Sequence, residues 1–179
     1  MDERKPRHLD ESALWNYALR ALGSRAHSSG EMRDKLTRRA EHSADVDRVL
    51  ARLKESKYLD DQQFAEGFAT ARLSNQGFGK NRVLQDLRHR RVKPALAEKT
   101  VQTVYQDVDE SALIEDWIRR KYRATPREGL FQEDKDLASA YRRLLHAGFR
   151  TGEIVRVLKK FAKNPDLLDS FEPPEENEE

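Results

Sequence analysis

The sequence predicts an all-α, elongated protein of three tandem three-helix repeats followed by an acidic, disordered C-terminal tail. Three observations carry this. First, one phrase recurs at nearly equal intervals, as Leu9-Asp10-Glu11-Ser12-Ala13-Leu14, Leu59-Asp60-Asp61-Gln62-Gln63-Phe64 and Val108-Asp109-Glu110-Ser111-Ala112-Leu113. Second, the apolar residues after each phrase recur at three- and four-residue spacing, and no stretch alternates long enough for a strand. Third, apolar and charged residues each make up 37% of the 179 residues, which suits a fold with much surface per residue.

The phrase is a helix entrance. Asp10, Asp60 and Asp109 stand where a short acceptor side chain can satisfy the free N–H groups of a first turn. The acidic residue that follows each one complements the helix dipole. The flanking apolar residues fall at hydrophobic-staple spacing, and Asp60 with Gln63 resembles a capping box.

The first helix of each repeat then carries an apolar stripe: Leu14, Ala18 and Leu22 with Trp15 and Leu19; Phe64 and Phe68 with Ala65 and Ala69; Leu113 and Trp117 with Ile114 and Ile118. These stripes are expected in the core. The second helices are anchored by Met32 and Leu36, by Val83, Leu84 and Leu87, and by Ala140, Tyr141, Leu144 and Leu145. The third helices show a 0, 3, 4, 7 pattern at Val46, Val49, Leu50 and Leu53, at Ala97, Thr100, Val101 and Val104, and at Ile154, Val157, Leu158 and Phe161. Turns fall at Ser28-Ser29-Gly30, Gly77-Phe78-Gly79 and Gly148-Phe149-Arg150-Thr151-Gly152. Pro94 is suited to the first position of the sixth helix. The predicted boundaries are an N-terminal arm over 1–8, repeats over 9–57, 58–107 and 108–164, and an acidic tail over 165–179. The third repeat has a longer connection at 124–134.

Composition excludes several classes. There is no Cys, so disulfides and thiolate metal sites are ruled out. No apolar run is long enough for a membrane helix, and the first eight residues lack the apolar core of a signal peptide. A cytoplasmic monomer without membrane attachment is expected. The net charge of +2 is unevenly spread. Residues 166–179 hold seven acidic and no basic residues, leaving the preceding 165 residues at +9. A basic body of this kind suits an anionic partner.

The densest positive charge lies on the second helix of repeat two, at Lys80, Arg82, Arg88, Arg90, Arg91 and Lys93 against Asp86. Arg38 and Arg39 follow on repeat one, and Arg142 and Arg143 on repeat three. These pairs, with Lys80, Arg82, Arg88, Arg90 and Arg91, form the candidate binding face for phosphates or an acidic protein groove. A solvated helix face is the plain alternative. Phe78, between two glycines, and Phe131, in the long connection, are aromatic residues suited to stacking on a base or anchoring in a partner, but folding back onto its own helices is the better reading of Phe78. Helix pairs joined by short turns also fit a helix-turn-helix reading, but Asn and Gln do not cluster on any would-be recognition helix.

No catalytic residue, metal ligand or cofactor site is predicted. His8, His27, His42, His89 and His146 are scattered without metal-ligand spacing. The pairs Asp60-Asp61 and Asp109-Glu110 are better explained as caps than as paired catalytic carboxylates. Gly77-Phe78-Gly79-Lys80 lacks the spacing and preceding strand of a phosphate loop.

The segment Tyr58-Leu59-Asp60-Asp61-Gln62-Gln63-Phe64-Ala65 resembles a signature of the RecX family, bacterial regulators of the RecA recombinase. Gly79-Lys80-Asn81-Arg82-Val83 with Leu87, and Leu144 with Gly148-Phe149 and Ile154, are similar to further segments of that family. The resemblance spans about Asp10 to Lys163. It implies an elongated, curved array of three-helix repeats that binds RecA and the RecA–DNA filament, with inhibition of ATP hydrolysis and strand exchange, and hence a part in recombination, DNA repair and the SOS response. Weak direct binding of single- or double-stranded DNA is a further expectation. The alternative is a helical DNA-binding module that acts without RecA. Four positions depart from the family pattern. Lys57, Ala40 and Arg91 stand where glycine is frequent, and Glu41 stands where an apolar residue is usual. The acidic tail lies outside the pattern.

Overall fold

The computed structural model describes residues 8–123 and 130–171, except for the side chains of 170 and 171. The protein is all-α. Among the described residues the helices are α1 (Glu11–Ser24), α2 (Ser29–Thr37), α3 (Ser43–Glu55), α4 (Asp61–Ala71), α5 (Lys80–His89), α6 (Pro94–Val104), α7 (Glu110–Tyr122), α8 (Asp134–His146) and α9 (Thr151–Lys159). Two isolated parallel bridges, Leu9 with Ala40 and Phe131 with Ala162, are the only extended pairings among them.

Two compact units make up the chain. Among the described residues, the first holds those up to Ala69 together with Asp86–Thr100, and the second holds Thr70–Gln85 and those from Val101 on. In the first unit α3 packs against both α1 and α2. Leu14, Ala18, Met32, Leu36, Val46, Val49, Leu50, Leu53 and Leu59 form its core. In the second unit α9 packs against α7 and α8. The core there is built from Ile114, Ile118, Leu137, Ala140, Leu144, Phe149, Ile154, Val157 and Leu158, among others.

The predicted apolar stripes are corrected in two helices. In α4 and α7 the fully buried row is Ala65 with Ala69 and Ile114 with Ile118; Phe64, Phe68, Leu113 and Trp117 lie half-buried beside it. Two adjacent apolar rows differ by about 100° around a helix, and the small or β-branched row is the one that permits close helix approach. Leu145, expected as an anchor, is exposed. Phe131 is the opposite case. It is buried rather than available for stacking, its backbone bonded to Phe161 and Lys163 and its ring set edge-on to Tyr122 at 5.3 Å.

The expectation of disorder from Pro165 differs at its start. Pro165–Phe171 forms a short 3₁₀ helix against α9, because Leu168 is fully buried and Lys159 pairs with Asp169 at 2.6 Å. Residues 172–179 lie outside the described residues, as do the N-terminal arm up to Arg7 and residues 124–129 of the long connection.

Two glycines shape the entry to α5. The last turn of α4 widens into a π-helix, Arg72–Gln76, which Gly77 terminates in the left-handed region with φ 62°. Gly79 then approaches the α8–α9 turn so closely that a Cβ would overlap the backbone of Gly148 and Phe149. The amides of Gly79 and Asn81 donate to the carbonyls of Ala147 (2.8 Å) and Gly148 (3.1 Å), satisfying the first turn of α5.

Candidate functional site

The entrance aspartates lie at the starts of three helices. Asp10 accepts from the Ala13 amide at 2.9 Å. Asp60 accepts from Gln62 and Gln63, both at 2.9 Å. Asp109 accepts from Ser111 (2.9 Å) and Ala112 (3.2 Å). In each case one carboxylate oxygen accepts the backbone donors of the first turn, as a helix cap does. Among the described residues there is no cluster of three or more His, Asp or Glu that could hold a metal ion.

In the first unit, three of the predicted binding arginines are tied to carboxylates. Arg88 pairs with Glu98 at 3.0 Å on an exposed face. Arg91 reaches Asp34 at 3.2 Å. Arg90 reaches Glu31 at 2.8 Å and lies over the Phe68 ring at 5.6 Å. Arg39 lies over the Tyr17 ring at 4.7 Å, and Arg38 is exposed.

Glu31 is the hub of this arrangement. It belongs to a capping box with Ser28 at the start of α2, and it also receives both Arg25 (3.0 Å) and Arg90. Burial raises its pKa, but hydrogen bonds from Arg25 and Arg90 outweigh this and hold the carboxyl at about 2. Beside it His27 is buried, and desolvation lowers its pKa, so the imidazole is neutral at pH 7. The Ser28 hydroxyl donates to the Arg90 carbonyl, and the Ser29 amide donates to Asp61 at 2.6 Å. A Cβ on Gly30 would overlap the backbone carbonyl of Arg91. The start of α2 is thus locked onto the end of α5 by polar side chains. Sequence reasoning read Ser28-Ser29-Gly30 only as a break. The Ser28-x-x-Glu31 spacing was the available signal for the cap, while the long-range partners left none.

In the second unit, Lys80 lines a depression of about 240 Å³ together with Asp109, Glu110, Glu153, Arg150 and Arg156. Glu110 accepts from the Arg150 amide (2.9 Å) and guanidinium (2.6 Å), and Ser111 bridges Glu153 and Arg156. This site is charge-balanced. Arg82 and Arg143 lie elsewhere in the unit: Arg82 sits 5.5 Å from the Phe78 ring centroid, and Arg143 lines a hollow with Phe78. Arg142 is exposed.

A curated relative, Regulatory protein RecX of Deinococcus radiodurans, is 33% identical over 178 residues, covering 98% of this chain and 79% of its own. The chain belongs to the RecX family. Regulatory protein RecX of Escherichia coli K12 is 31% identical over 172 residues, 90% of this chain and 99% of that protein. Family models for the first and second three-helix domains of RecX match residues 15–53 and 60–101. The crystal structure of RecX from Lactobacillus salivarius has the same fold, with a TM-score of 0.63 at 18% identity over 83% of this chain and 94% of that one. The family's members are named regulatory proteins, and among the described residues no helix is long and apolar enough to cross a membrane.

Membership in the RecX family gives the unusual residues a structural meaning. Lys57 (φ 56°) and Arg91 (φ 59°), two of the positions where the sequence resemblance leads us to expect glycine, both adopt the left-handed conformation. Their turns follow α3 and α5, with the Tyr58 and Val92 amides closing onto Leu53 and Leu87. Ala40 instead sits in the short parallel bridge with Leu9. Glu41 is exposed, and its amide donates to the Leu9 carbonyl.

Proposed function

We propose that this RecX-family protein is a non-enzymatic, cytoplasmic regulator that acts as a monomer by binding RecA and the RecA–DNA filament. Binding inhibits ATP hydrolysis and strand exchange, and so limits recombination and DNA repair. The observation that carries this reading is near full-length similarity to proteins named Regulatory protein RecX. The acidic pairs Asp60-Asp61 and Asp109-Glu110 serve as helix caps and as partners of Ser29 and Arg150. The proposed contact residues are Lys80, Arg82, Arg88, Arg90, Arg91, Arg38, Arg39, Arg142 and Arg143, spread over all three repeats. Many weak contacts of this kind gain strength from effective concentration along a polymer.

The test is RecA ATPase on single-stranded DNA with substoichiometric protein. Inhibition below one molecule per RecA subunit is expected, and the absence of inhibition at any ratio overturns the reading. Of the contact residues, Arg38→Glu with Arg142→Glu should weaken inhibition most cleanly, because both side chains are exposed and their replacement spares the ion pairs at Glu31, Asp34 and Glu98.

A further inference from the structure

At the margin of the second unit's core, Phe78 is presented by a turn that is fixed on both sides. Its carbonyl accepts the Tyr105 hydroxyl at 2.6 Å, Gly77 supplies the left-handed step before it, and the Gly79 amide is bonded to Ala147 after it. The ring is nevertheless only half-buried, and it lines an open hollow of about 320 Å³. Trp117 and Lys121, one helical turn apart on α7, and Arg143 and His146, three residues apart on α8, complete the lining. The guanidinium of Arg72, from the π-turn, and that of Arg82, from α5, lie 5.8 and 5.5 Å from the Phe78 centroid. No carboxylate occurs among the described lining residues.

This differs from the charge-balanced depression around Lys80. There, Arg150 and Arg156 meet acids of the same chain. Here, Phe78, Trp117, Lys121, Arg143 and His146 share one hollow, and the backbone holding the central ring is fixed by hydrogen bonds on both sides. Every nucleobase has a π-face, and single strands bring phosphates to the same place, so rings flanked by cations suit an unpaired nucleotide. A duplex keeps its bases stacked inside and cannot use the rings. A preformed aromatic platform also avoids the ordering cost that a mobile loop would incur on binding.

We infer that the hollow formed by Phe78, Trp117, Lys121 and Arg143 is a binding site for single-stranded nucleic acid, in which an unpaired base stacks on the rings while the basic side chains hold its flanking phosphates. The site binds without RecA, although Arg143 is shared with the proposed RecA contacts.

The experiment uses the full chain carrying Trp15→Phe, which leaves Trp117 as the only tryptophan. It is titrated, without RecA, with an oligothymidylate of about 12 nucleotides, with an abasic strand of equal length and charge, and with a duplex. The oligothymidylate should quench Trp117 fluorescence and bind about tenfold more tightly than the abasic strand, the size expected from one base–aromatic stack. Phe78→Leu, which keeps apolar volume, should remove that tenfold preference while leaving abasic binding unchanged. Lys121→Gln with Arg143→Gln should weaken both strands and flatten the salt dependence. Equal affinity for the oligothymidylate and the abasic strand, or tighter binding of the duplex, overturns the inference. The comparison of strands decides the matter even if Phe78→Leu fails to fold. RecA inhibition is read separately, so either proposal can fail alone.

Discussion

The start of α2 and the start of α5 solve the same problem by different chemistry. Each is a helix N-terminus seated on the end of a helix from the following repeat. At the start of α2, side chains do the sealing: Ser28 donates to the Arg90 carbonyl, Ser29 donates to Asp61, and Glu31 gathers Arg25 and Arg90. At the start of α5, backbone meets backbone. Gly79 and Asn81 donate to Ala147 and Gly148, and the two glycines allow the approach. Even the left-handed residue differs, being Arg91 in the first case and Gly148 in the second. One architectural contact can therefore be written in charge or in the absence of side chains. The two versions should differ in what disrupts them: protonation should loosen the first and added volume the second.

The largest effect should come from adding volume to the backbone seal. Gly148→Ala places a Cβ against the Arg82 backbone at φ 89° and should cost about 3 kcal/mol or more. A lower urea midpoint, with early exchange of the Gly79 and Asn81 amides, would show it. An unchanged midpoint would mean that the seal is looser than its geometry.

Next in size is Glu31→Gln. It removes the carboxylate shared by two arginines and should cost about 2 kcal/mol, read as a shift in the same urea midpoint. The same residue predicts a pH response in the unmodified protein. Glu31 is depressed from 4.5 to about 2, so its contribution is complete above pH 4.5 and fades as pH falls toward 2. His27 is also depressed, from 6.5, because protonating it in its buried site is unfavourable. Its contribution is likewise complete above pH 6.5 and is lost as pH falls through its folded value. Both terms have the same sign. Hydrogen exchange at the α2 amides should accelerate with acid before exchange at Gly79 and Asn81 does, and Glu31→Gln should abolish the lower part of that response.

The smallest effect should be Arg91→Gly, which makes the first seal resemble the second. It relieves a left-handed non-glycine residue but adds chain entropy to the unfolded state and removes an exposed ion pair with Asp34. The net change should lie within about 1 kcal/mol, read by thermal melting. A larger loss would show that Arg91 contributes more than a surface pair.

Much of the fold was legible because its punctuation is local. Asp10, Asp60 and Asp109 mark helix starts through bonds to amides two or three residues away, and Pro94 opens α6 for the same short-range reason. The rotation of α4 and α7 was not legible. Phe64 and Ala65 are both apolar, and only the neighbouring helix decides which row is enclosed. Phe131 was misjudged because its partners Phe161 and Lys163 lie some thirty residues away. Of the candidate site, the basic residues were visible as charge but not as partnerships. Arg88, Arg90 and Arg91 read as plain charge in the sequence, yet each meets an acid brought by the fold. Phe78 was noticed as an aromatic residue between glycines. What spacing could not show was that Trp117, Lys121, Arg143 and His146 gather around it.

The backbone seal at α5 also sets an order of events during synthesis. Ala147 lies 68 positions downstream of Gly79, so the partners for the opening amides of α5 do not yet exist when that helix leaves the ribosome. Water must satisfy those donors until the end of α8 has emerged, and chains made vectorially otherwise fold from the N-terminus onward. Here the middle of the molecule is completed by its last repeat. A chain cut short before residue 147 would carry α5 with its first turn unsealed, a defect that a protease or chaperone could read as an unfinished protein.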